Sequence, residues 1–403
     1  MKLAEIQEIC ITQKKALSEL QLGTERSLLS NLPDIKSHAL AICGIRRCGK
    51  STLLHQFINK LNRDFFYLNF DDFRLSSFTD NDYTLINKII SELKVKLLFF
   101  DEIQTAEKWE LFVRTKLDEG FQILLTGSNS SLLSQDFGTT LTGRHITKEL
   151  FTFSYNEYCN FFNIDKSAES LSDYIEKGGF PEYLKYCNTD ILTQLQSDIL
   201  FRDIAVKYKI RDTASLRQLF IYLLTNTSQL FSPSKLTGVS GIKSPTTVLE
   251  YISFFEASYL INILPCFAYS LKAQSLAPKK IYITDTGLIK TGAFSFTKNY
   301  GSLLENFVYN TIRRIEKSIY YFNSKKNECD FVIKSQANYK CIQVCWELNL
   351  DNQDREINGL LDAMEFFNVD EGEIITFNTE DIILTKNKKI NVIPAWKWNY
   401  YAI

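Results

Sequence analysis

The stretch LAICGIRRCGKSTLLHQFI, residues 40–58, decides the fold. It begins as a short apolar run, breaks at Gly44, and resumes at Ser51 with the apolar spacing of a helix. Residues 44–51 match the pattern G-x-x-x-x-G-K-[ST] at every fixed position. A strand before this pattern and a helix after it are the context in which it cradles phosphate, so we predict a phosphate-binding loop (P-loop) here.

The residue types of this loop suit the triphosphate of ATP with a magnesium ion. Its glycines let successive backbone N–H groups face one point, and the positive N-terminal end of the helix adds to them. Lys50 would bridge the β- and γ-phosphates, and the Ser51 hydroxyl would ligate Mg²⁺. The alternative is a glycine turn that only caps a helix, and for Arg46 and Arg47 surface pairing is as open as phosphate contact. The residues predicted to contact the nucleotide are Gly44, Ile45, Arg46, Arg47, Cys48, Gly49, Lys50, Ser51 and Thr52.

A pair of acids ends a later apolar run. The segment KLLFFDEIQ, residues 96–104, places Asp101 and Glu102 at the carboxyl end of a predicted buried strand. Asp101 would hold the magnesium ion, and Glu102 would orient or deprotonate the attacking water. Taken alone, the two acids would also fit a solvated strand end. Together with the P-loop they predict Mg²⁺-dependent ATP hydrolysis.

Two further positions are candidates for the reaction. Asn129 follows the next apolar run and would touch the γ-phosphate or the attacking water, with Thr126 and Ser128 as rivals and an ordinary Gly-Ser-Asn turn as the alternative. Arg144 precedes another strand. In a ring of subunits an arginine at that place would reach the γ-phosphate of a neighbour, whereas the other interpretation is a local salt bridge.

Apolar runs alternate with amphipathic segments over the first 160 residues. Such an alternation indicates a parallel sheet that is covered by helices on both faces, so we predict the α/β fold of a P-loop NTPase. The predicted strands are HALAICGI (38–45), DFFYLNFDDF (64–73), VKLLFFDEI (95–103), FQILLTGSNSSLL (121–133) and HITKELFTFSYNEY (145–158).

The rest of the chain changes character twice. Residues from about 155 to 212 are helical, apart from the interruption KGGFPEYL. A helix, a helix-turn-helix and a β-hairpin follow, which is the order of a winged helix. The last hundred residues contain a helix, three strands, a second helix and a final strand, EGEIITF. We therefore predict an ATPase domain at 1–160, a helical connector at 161–212, a winged helix at 213–292 and a small α/β domain at 293–403.

Composition restricts the possible binding partners and the cellular compartment, but it does not indicate the activity. The formal net charge of −1 leaves room only for a local nucleic-acid surface. Nine cysteines without a zinc-like pair predict reduced thiols and the cytosol. The N-terminal residues lack the apolar core of a signal peptide, and no segment reaches the ~18 uncharged apolar residues of a membrane span, so we expect a soluble protein with no membrane partner.

The motifs together resemble a prokaryotic family of AAA-type ATP-binding proteins whose C-terminal half is known only as a domain of unknown function. The resemblance implies an ASCE/AAA-type ATPase sheet, and it extends in order over nearly the whole chain. The matching segments are GIRRCGKSTLL, YLNFDDFRL, LLFFDEIQTAEKWE, LLTGSNSSLLS, LTGRHITKELFTFSYNEY, GGFPEYL, KKIYITDTGL, GSLLENFVYN and ECDFVI with IQV. GGFPEYL and IYITDTGL are family markers without an evident chemistry.

The resemblance also implies a restriction-endonuclease-like fold at the C-terminus. That site needs carboxylates for Mg²⁺ and a lysine. Glu305 and Asp330 fit two carboxylate positions, but Gln343 stands at the third and Cys345 replaces the lysine. Lys340 would face away, because three residues along a strand reverse the side chain. Glu347 would share the face of Gln343 and compensate in part. We therefore expect a degenerate site with little cutting activity.

The resulting hypothesis is a DNA-associated ATPase that couples its nucleotide state to DNA or a partner protein. The presumed recognition helix is poor in cations, so Lys235, Lys243, Lys272, Lys279 and Lys280 are the candidate phosphate contacts. A winged helix that contacts protein is the competing interpretation. Two other functions stay open, a nucleotide-dependent assembly or signalling switch and an ATP-gated metal-dependent nuclease. A homo-oligomeric ring is a candidate assembly.

Overall fold

The computed structural model describes the chain in five ranges that form two compact units. The ranges are 1–128, 143–292, 299–324, 326–335 and 338–400. The first unit is Met1–Thr152 with Ala257–Tyr259, and the second is Phe153–Glu256 with Leu260–Ile403. The finer division into four domains stays a prediction. Within the described ranges, no helix has both the length and the apolar character of a membrane span.

The first unit is built on a five-stranded parallel sheet, which confirms the predicted fold class. Strands β1, β3 and β4 are buried along their whole length, as expected for a sheet with both faces covered. The elements are α1 Leu3–Glu19, β1 Ala39–Cys43, α2 Lys50–Leu61, β2 Phe65–Asn69, α3 Tyr83–Leu93, β3 Leu97–Asp101, α4 Trp109–Asp118, β4 Gln122–Gly127 and β5 His145–Glu149.

The strand order determines which residues meet at the edge of the sheet. The order is β2-β3-β4-β1-β5, so β4 lies between β1, which leads into the P-loop, and β3, which ends in Asp101. In a parallel sheet the carboxyl ends of these three strands share one edge. The loop, the acid pair and the end of β4 are thereby brought together.

The second unit begins with a series of helices, as the sequence predicts. The helices are α5 Tyr155–Phe162, α6 Ala168–Lys177, α7 Pro181–Tyr186 and α8 Thr189–Ser197, followed by a π-helical segment at Asp198–Val206. The interruption at KGGF separates α6 from α7, and Pro181 occupies the first turn of α7, where its missing N–H costs nothing.

Helices and a small antiparallel sheet alternate in the next segment. The predicted helix, helix pair and hairpin are present, together with two elements that the sequence analysis missed, β6 and α12. The elements are α9 Thr213–Thr225, β6 Leu230–Phe231, α10 Pro233–Ser240, α11 Pro245–Ala257, β7 Ile261–Leu264, α12 Leu271–Leu276 and β8 Lys279–Ile283. The strands pair in the order β6-β8-β7.

A six-stranded mixed sheet dominates the C-terminal region, with the order β13-β14-β12-β11-β10-β9. The sequence analysis ended at β12 and missed the hairpin β13–β14, whose apolar residues are interrupted by Asp, Lys and Asn. The elements are α13 Tyr300–Arg313, β9 Ile319–Asn323, β10 Glu328–Ser335, β11 Asn338–Val344, α14 Gln353–Phe366, β12 Glu371–Thr376, β13 Asp381–Thr385 and β14 Lys388–Pro394.

The two unexplained markers, GGFPEYL and TDTGL, form one interlocked structure. The Asp285 carboxylate accepts hydrogen bonds from the backbone N–H of Gly179 at 2.8 Å and of Gly287 at 2.9 Å. A Cβ on Gly178, which has φ +74°, would lie 1.9 Å from Asp285 Oδ1, and one on Gly179 would lie 2.3 Å from the Phe153 carbonyl oxygen. The backbone at Gly178 and Gly179 lies too close to its neighbours for any side chain. We therefore interpret the two markers as residues required for packing.

We predict that Gly179→Ala destabilises the second unit by about 3 kcal/mol or more, because the added methyl group must displace the backbone of Phe153. The matched control is Gly238→Ala in α10, where a Cβ meets no atom within 4 Å and should add about 0.5–1 kcal/mol of stability. Urea unfolding of the full chain measures both. Equal midpoints for the two variants would contradict the interlock.

Candidate functional site

Two glycines give the P-loop its shape. Gly44 has φ +144°, and a Cβ there would lie 2.1 Å from the carbonyl oxygen of Leu150, so only glycine fits between β1 and the end of β5. Gly49 has φ +100° and precedes Lys50, the first residue of α2. The loop therefore leads directly into a helix N-terminus, as a phosphate site requires.

A buried arginine ahead of β1 fixes the loop from behind. Arg26 donates to the carbonyl oxygen of Cys48 at 2.7 Å and to that of Phe151 at 2.6 Å, and it is only 4% exposed. The Cys48 thiol lies 3.3 Å from the Leu150 carbonyl oxygen. Sequence reasoning missed Arg26, because nothing in the local pattern distinguishes it from a surface arginine.

Lys50 lies buried within the loop and is shared between backbone and acid. Its Nζ donates to the carbonyl oxygens of Gly44 at 3.2 Å and Ile45 at 3.3 Å, and it lies 3.5 Å from Glu102 Oε1. Burial is the largest single influence and opposes the ammonium charge, but Glu102 and the other nearby acidic groups, Asp101 among them, together outweigh it and raise the pKa of Lys50. The side chain therefore carries a positive charge.

Asp101 receives three hydroxyl groups from three different elements. Ser51 Oγ donates to Oδ1 at 3.0 Å, Tyr67 donates to Oδ2 at 3.0 Å, and Thr126 also donates to Oδ1. The carboxyl group is 2% exposed, and burial, followed by the neighbouring Glu102 charge, raises its pKa. Tyr67 was missed by the sequence analysis, since it lies in the middle of β2.

Glu102 is held in place by its backbone and by both carboxylate oxygens. The residue has φ +50°, and its N–H donates to Thr126 Oγ1 at 3.0 Å. Its Oε2 accepts from Gln104 Nε2 at 2.6 Å and from the Ser128 N–H at 3.2 Å. Burial is the largest single influence and would raise the pKa of Glu102, but the Lys50 ammonium and the hydrogen bonds from Gln104 and Ser128 together hold the pKa below its ordinary value. Glu102 is therefore ionised.

The donors at this edge fit a hydrated magnesium ion on a nucleotide. A serine hydroxyl and a carboxylate oxygen 3.0 Å apart, Ser51 Oγ and Asp101 Oδ1, are hard oxygen ligands of the kind Mg²⁺ prefers. When bound, Mg²⁺ neutralises the developing charge on the phosphates. Lys50, the residue before Ser51, supplies a second cation at the loop, where its Nζ contacts the Gly44 and Ile45 carbonyl oxygens.

Four other residues predicted to contact the nucleotide have different surroundings. Arg46 pairs with Asp71 at 2.9 Å, which matches the pairing alternative for this residue. Arg47 is exposed and has φ +62°. Thr52 is half-buried in the first turn of α2. Asn129, the preferred polar contact to the γ-phosphate, lies outside the described residues.

Arg144 lies at the start of β5 in a local ion pair. Its guanidinium donates to Asp118, and its Nε lies 3.4 Å from the carbonyl oxygen of Ser37. This arrangement matches the local salt bridge that the sequence analysis left open. Whether Arg144 reaches a second subunit stays a prediction.

A second charged cluster lies in the other unit, around Lys280 of β8. The buried ammonium lies 3.0 Å from Glu305 Oε1, 2.8 Å from Glu328 Oε1 and 2.9 Å from Asp330 Oδ1. Tyr282 also donates to Glu305 Oε1, at 2.7 Å. The prediction that Lys280 contacts DNA phosphates is therefore wrong, because its side chain is 4% exposed and its ammonium is paired with carboxylates.

The three nuclease-like positions do meet in this cluster. Gln343 Oε1 accepts from the Asp330 N–H at 3.1 Å, while its Nε2 donates to Glu356 at 2.7 Å. Asp330 and Glu305 both reach the Lys280 ammonium. Burial raises the pKa of Glu305 to about 7, although Lys280 opposes this. Across the described part of the chain, no group of three His, Cys, Asp or Glu side chains is arranged to hold a metal ion.

The sequence analysis made one correct and one wrong prediction about the residues around Gln343. Lys340 does lie apart from the cluster, where it pairs with Glu373 at 2.8 Å. Glu347, proposed to compensate for the uncharged Gln343, is exposed beyond the end of β11 and takes no part. Its place is taken by Glu356 of α14, which no spacing rule could link to β11.

We predict that Lys280→Met costs about 3–5 kcal/mol of stability, because it leaves buried carboxylates without their cation. The control is Lys389→Met, which removes an exposed pair with Glu371 at 3.7 Å and should cost no more than about 1 kcal/mol. Urea unfolding of both variants is the measurement. A cost for Lys280→Met as small as that of the control would show that the cluster is solvated.

Comparison with known proteins agrees with this geometry. A family model described as an AAA domain matches residues 36–159, and one described as a domain of unknown function (DUF8612) matches residues 168–295. The chain is 33% identical over 417 residues to the uncharacterized protein MJ1544 of Methanocaldococcus jannaschii, which covers 95% of this chain and 93% of that protein. An uncharacterized protein of Haemophilus influenzae is 28% identical over 328 residues, covering 76% of this chain and 82% of its own.

Solved structures give weaker matches. The RuvB Holliday junction branch migration motor of Thermotoga maritima is 16% identical, with a TM-score of 0.29, and the match covers 62% of this chain and 87% of that chain. A similarity of this size supports no conclusion about the activity of the present chain.

Proposed function

Because this chain belongs to the AAA family, we propose that it binds Mg–ATP at the P-loop and hydrolyses it with Asp101 and Glu102. The observation that carries the proposal is the hydrogen bond of 3.0 Å between Ser51 Oγ and Asp101 Oδ1. It joins the first turn of α2 to the end of β3 across the intervening strand β4. A hydroxyl and a carboxylate so placed would together hold one magnesium ion.

The two charged side chains have separate roles in this proposal. When ATP binds, the Lys50 ammonium moves away from Glu102 and pairs with the β- and γ-phosphates, because these carry more negative charge than the carboxylate. Glu102 Oε1 is thereby released to accept a hydrogen bond from the attacking water, while Gln104 and Ser128 keep Oε2 in place. For Asn129 we keep the role predicted from the sequence, a polar contact to the γ-phosphate or to the attacking water.

Arg144 extends the proposal to an assembly of subunits. Its side chain is 34% exposed and ends in an ion pair with Asp118. An exposed pair of this kind stabilises the fold little, so the guanidinium can be given up to a neighbouring subunit's γ-phosphate at low cost. The proposed assembly is a homo-oligomeric ring in which Arg144 stabilises the charge of the transition state.

We predict that Glu102→Gln lowers ATP turnover by about 10²–10⁴-fold while ATP binding persists, because an amide accepts no proton from water. The control is Glu107→Gln, an exposed glutamate a few residues further on, which should leave turnover unchanged. Steady-state turnover and calorimetric binding of Mg–ATP measure the two effects. Lys50→Ala should abolish binding.

The two halves of this proposal fail separately. Full turnover in Glu102→Gln would remove this residue as the base but leave the P-loop in place. Undiminished Mg–ATP binding by Lys50→Ala would remove the nucleotide site itself.

We further propose that residues 213–292 form a winged helix that binds DNA. The order α9, β6, α10, α11 and the β7–β8 hairpin supports this, as does the exposure of three lysines around it. Lys235 lies on α10, Lys243 lies between α10 and α11, and Lys272 lies in the hairpin connection.

The nine free cysteines agree with a reducing compartment such as the cytoplasm.

We predict that duplex DNA increases ATP turnover and that Lys235→Glu/Lys243→Glu abolishes the increase, since the two variants replace phosphate-binding cations by anions. The control is Lys317→Glu/Lys326→Glu, which reverses two exposed lysines elsewhere in the same unit. Turnover is measured with and without DNA over a range of salt concentrations. Turnover that ignores DNA but changes with nucleotide-dependent assembly would favour the switch instead.

The same incubations test the nuclease. The Lys280 ammonium occupies the point where Glu305 and Asp330 converge, and Gln343 uses both polar atoms within the cluster, so we propose that this domain does not cut. Supercoiled plasmid should remain intact with Mg²⁺ or Mn²⁺. Cutting that disappears in Asp330→Ala would overturn this proposal.

A further inference from the structure

Strand β13 forms an exposed edge of the C-terminal sheet. In the described part of that sheet it pairs with β14 alone. Ile383 packs against the core, whereas Ile382 is 61% exposed and Leu384 is 77% exposed on the opposite face. Natural edge strands are usually protected from pairing by lysine, proline or a bulge, but residues 382–384 carry two exposed apolar side chains instead.

The hairpin geometry determines which backbone groups point outward. The turn consists of Lys386 and Asn387, with φ of 47° and 61°, and the closing pair is Thr385 with Lys388. In such a two-residue hairpin the closing pair is hydrogen-bonded, and hydrogen-bonded pairs alternate with open ones. Residues 381, 383 and 385 therefore bond to β14, and residues 382 and 384 direct their N–H and C=O groups to the free edge. There the Ile382 N–H donates to the exposed Asp381 Oδ1 at 2.8 Å.

We propose that β13 pairs in antiparallel fashion with β13 of a second copy of this chain, about a two-fold axis at Ile383. Ile382 of each copy then lies opposite Leu384 of the other, and both residues have outward-pointing backbone groups. Four backbone hydrogen bonds form, two of them after the Ile382 N–H of each copy exchanges the exposed Asp381 carboxylate for the Leu384 carbonyl of the other copy. A shift of one residue is excluded, because it would place outward groups opposite inward ones.

The same register is complementary in its side chains. Each exposed isoleucine meets an exposed leucine, which is a favourable cross-strand pair. Just beyond the two ends of the paired strands, Glu380 of each copy comes near the turn residue Lys386 of the other, so unlike charges are close together at both ends. The Glu380 side chain is 62% exposed, although it also pairs with Lys397. Asp381 lies opposite the uncharged Thr385.

This contact is small, and it does not involve the nucleotide site. A pair of five-residue strands buries less surface than a stable dimer requires, so we expect association in the micromolar range. The contact is isologous, unlike the ring contact proposed for Arg144. It should therefore persist without nucleotide and in the Glu102→Gln variant.

Sedimentation velocity of the full chain over about 1–200 µM tests the proposal. The wild-type protein should change from monomer to dimer as concentration rises. Leu384→Lys should remain monomeric, because it places a charge opposite Ile382 of the other copy. The control is Leu350→Lys, at a residue that is 93% exposed and lies outside β13, which should dimerise normally.

A mixing experiment tests the register itself. Glu380→Lys alone brings two pairs of cations together, and Lys386→Asp alone brings two pairs of anions together, so each variant should dimerise at least about tenfold more weakly. A heterodimer of the two variants has unlike charges at both ends. Mixing them should restore wild-type affinity, which a change in folding could not do.

Three results would overturn the proposal. They are a wild-type chain that stays monomeric at every concentration, a Leu384→Lys variant that dimerises like wild type, and a mixture of the charge variants that associates no better than each variant alone.

Discussion

The hydrogen bond between Ser51 and Asp101 is the contact on which the candidate site depends, because it connects helix α2, which follows β1, to a strand that does not pair with β1. β1 and β3 are separated by β4, so the P-loop and the acid pair meet only at the carboxyl edge of the sheet. Thr126, at the end of β4, bonds to both the Asp101 carboxylate and the Glu102 backbone. All three strands must therefore keep their register for the P-loop, Asp101 and Glu102 to stay in place.

The parts of this site that the sequence predicts are those with a fixed local spacing. Lys50 and Ser51 follow a glycine loop, and Asp101 and Glu102 end an apolar run, so pattern and chemistry coincide within a few residues. Arg26 and Tyr67 were missed because their roles depend on residues 22 and 34 positions away. Neither position carries a signal until the sheet order brings its partner near.

The C-terminal half shows the same limit in another form. Strand alternation correctly turned Lys340 away from Gln343, but it could not show that an ammonium arrives from β8, 50 residues before Asp330. Likewise Asp285 explains the glycines of a marker more than a hundred residues earlier. The β13–β14 hairpin was missed for a local reason. Charged and polar residues interrupt its apolar residues, so the alternation typical of strands is not apparent in the sequence.

Buried aspartates occur in each of these regions, and they differ in the kind of group that donates hydrogen bonds to the carboxylate. Asp285 is bound by backbone amides, and Asp330 by an ammonium and the Val344 amide, none of which can accept a hydrogen bond or a metal in turn. The hydrogen bonds to Asp101 come from hydroxyl groups. A hydroxyl can rotate and offer its lone pairs, so Ser51 can change from donor to co-ligand when a cation arrives. The hydroxyl groups around Asp101 therefore permit an exchange of partners, which the proposed hydrolytic cycle requires.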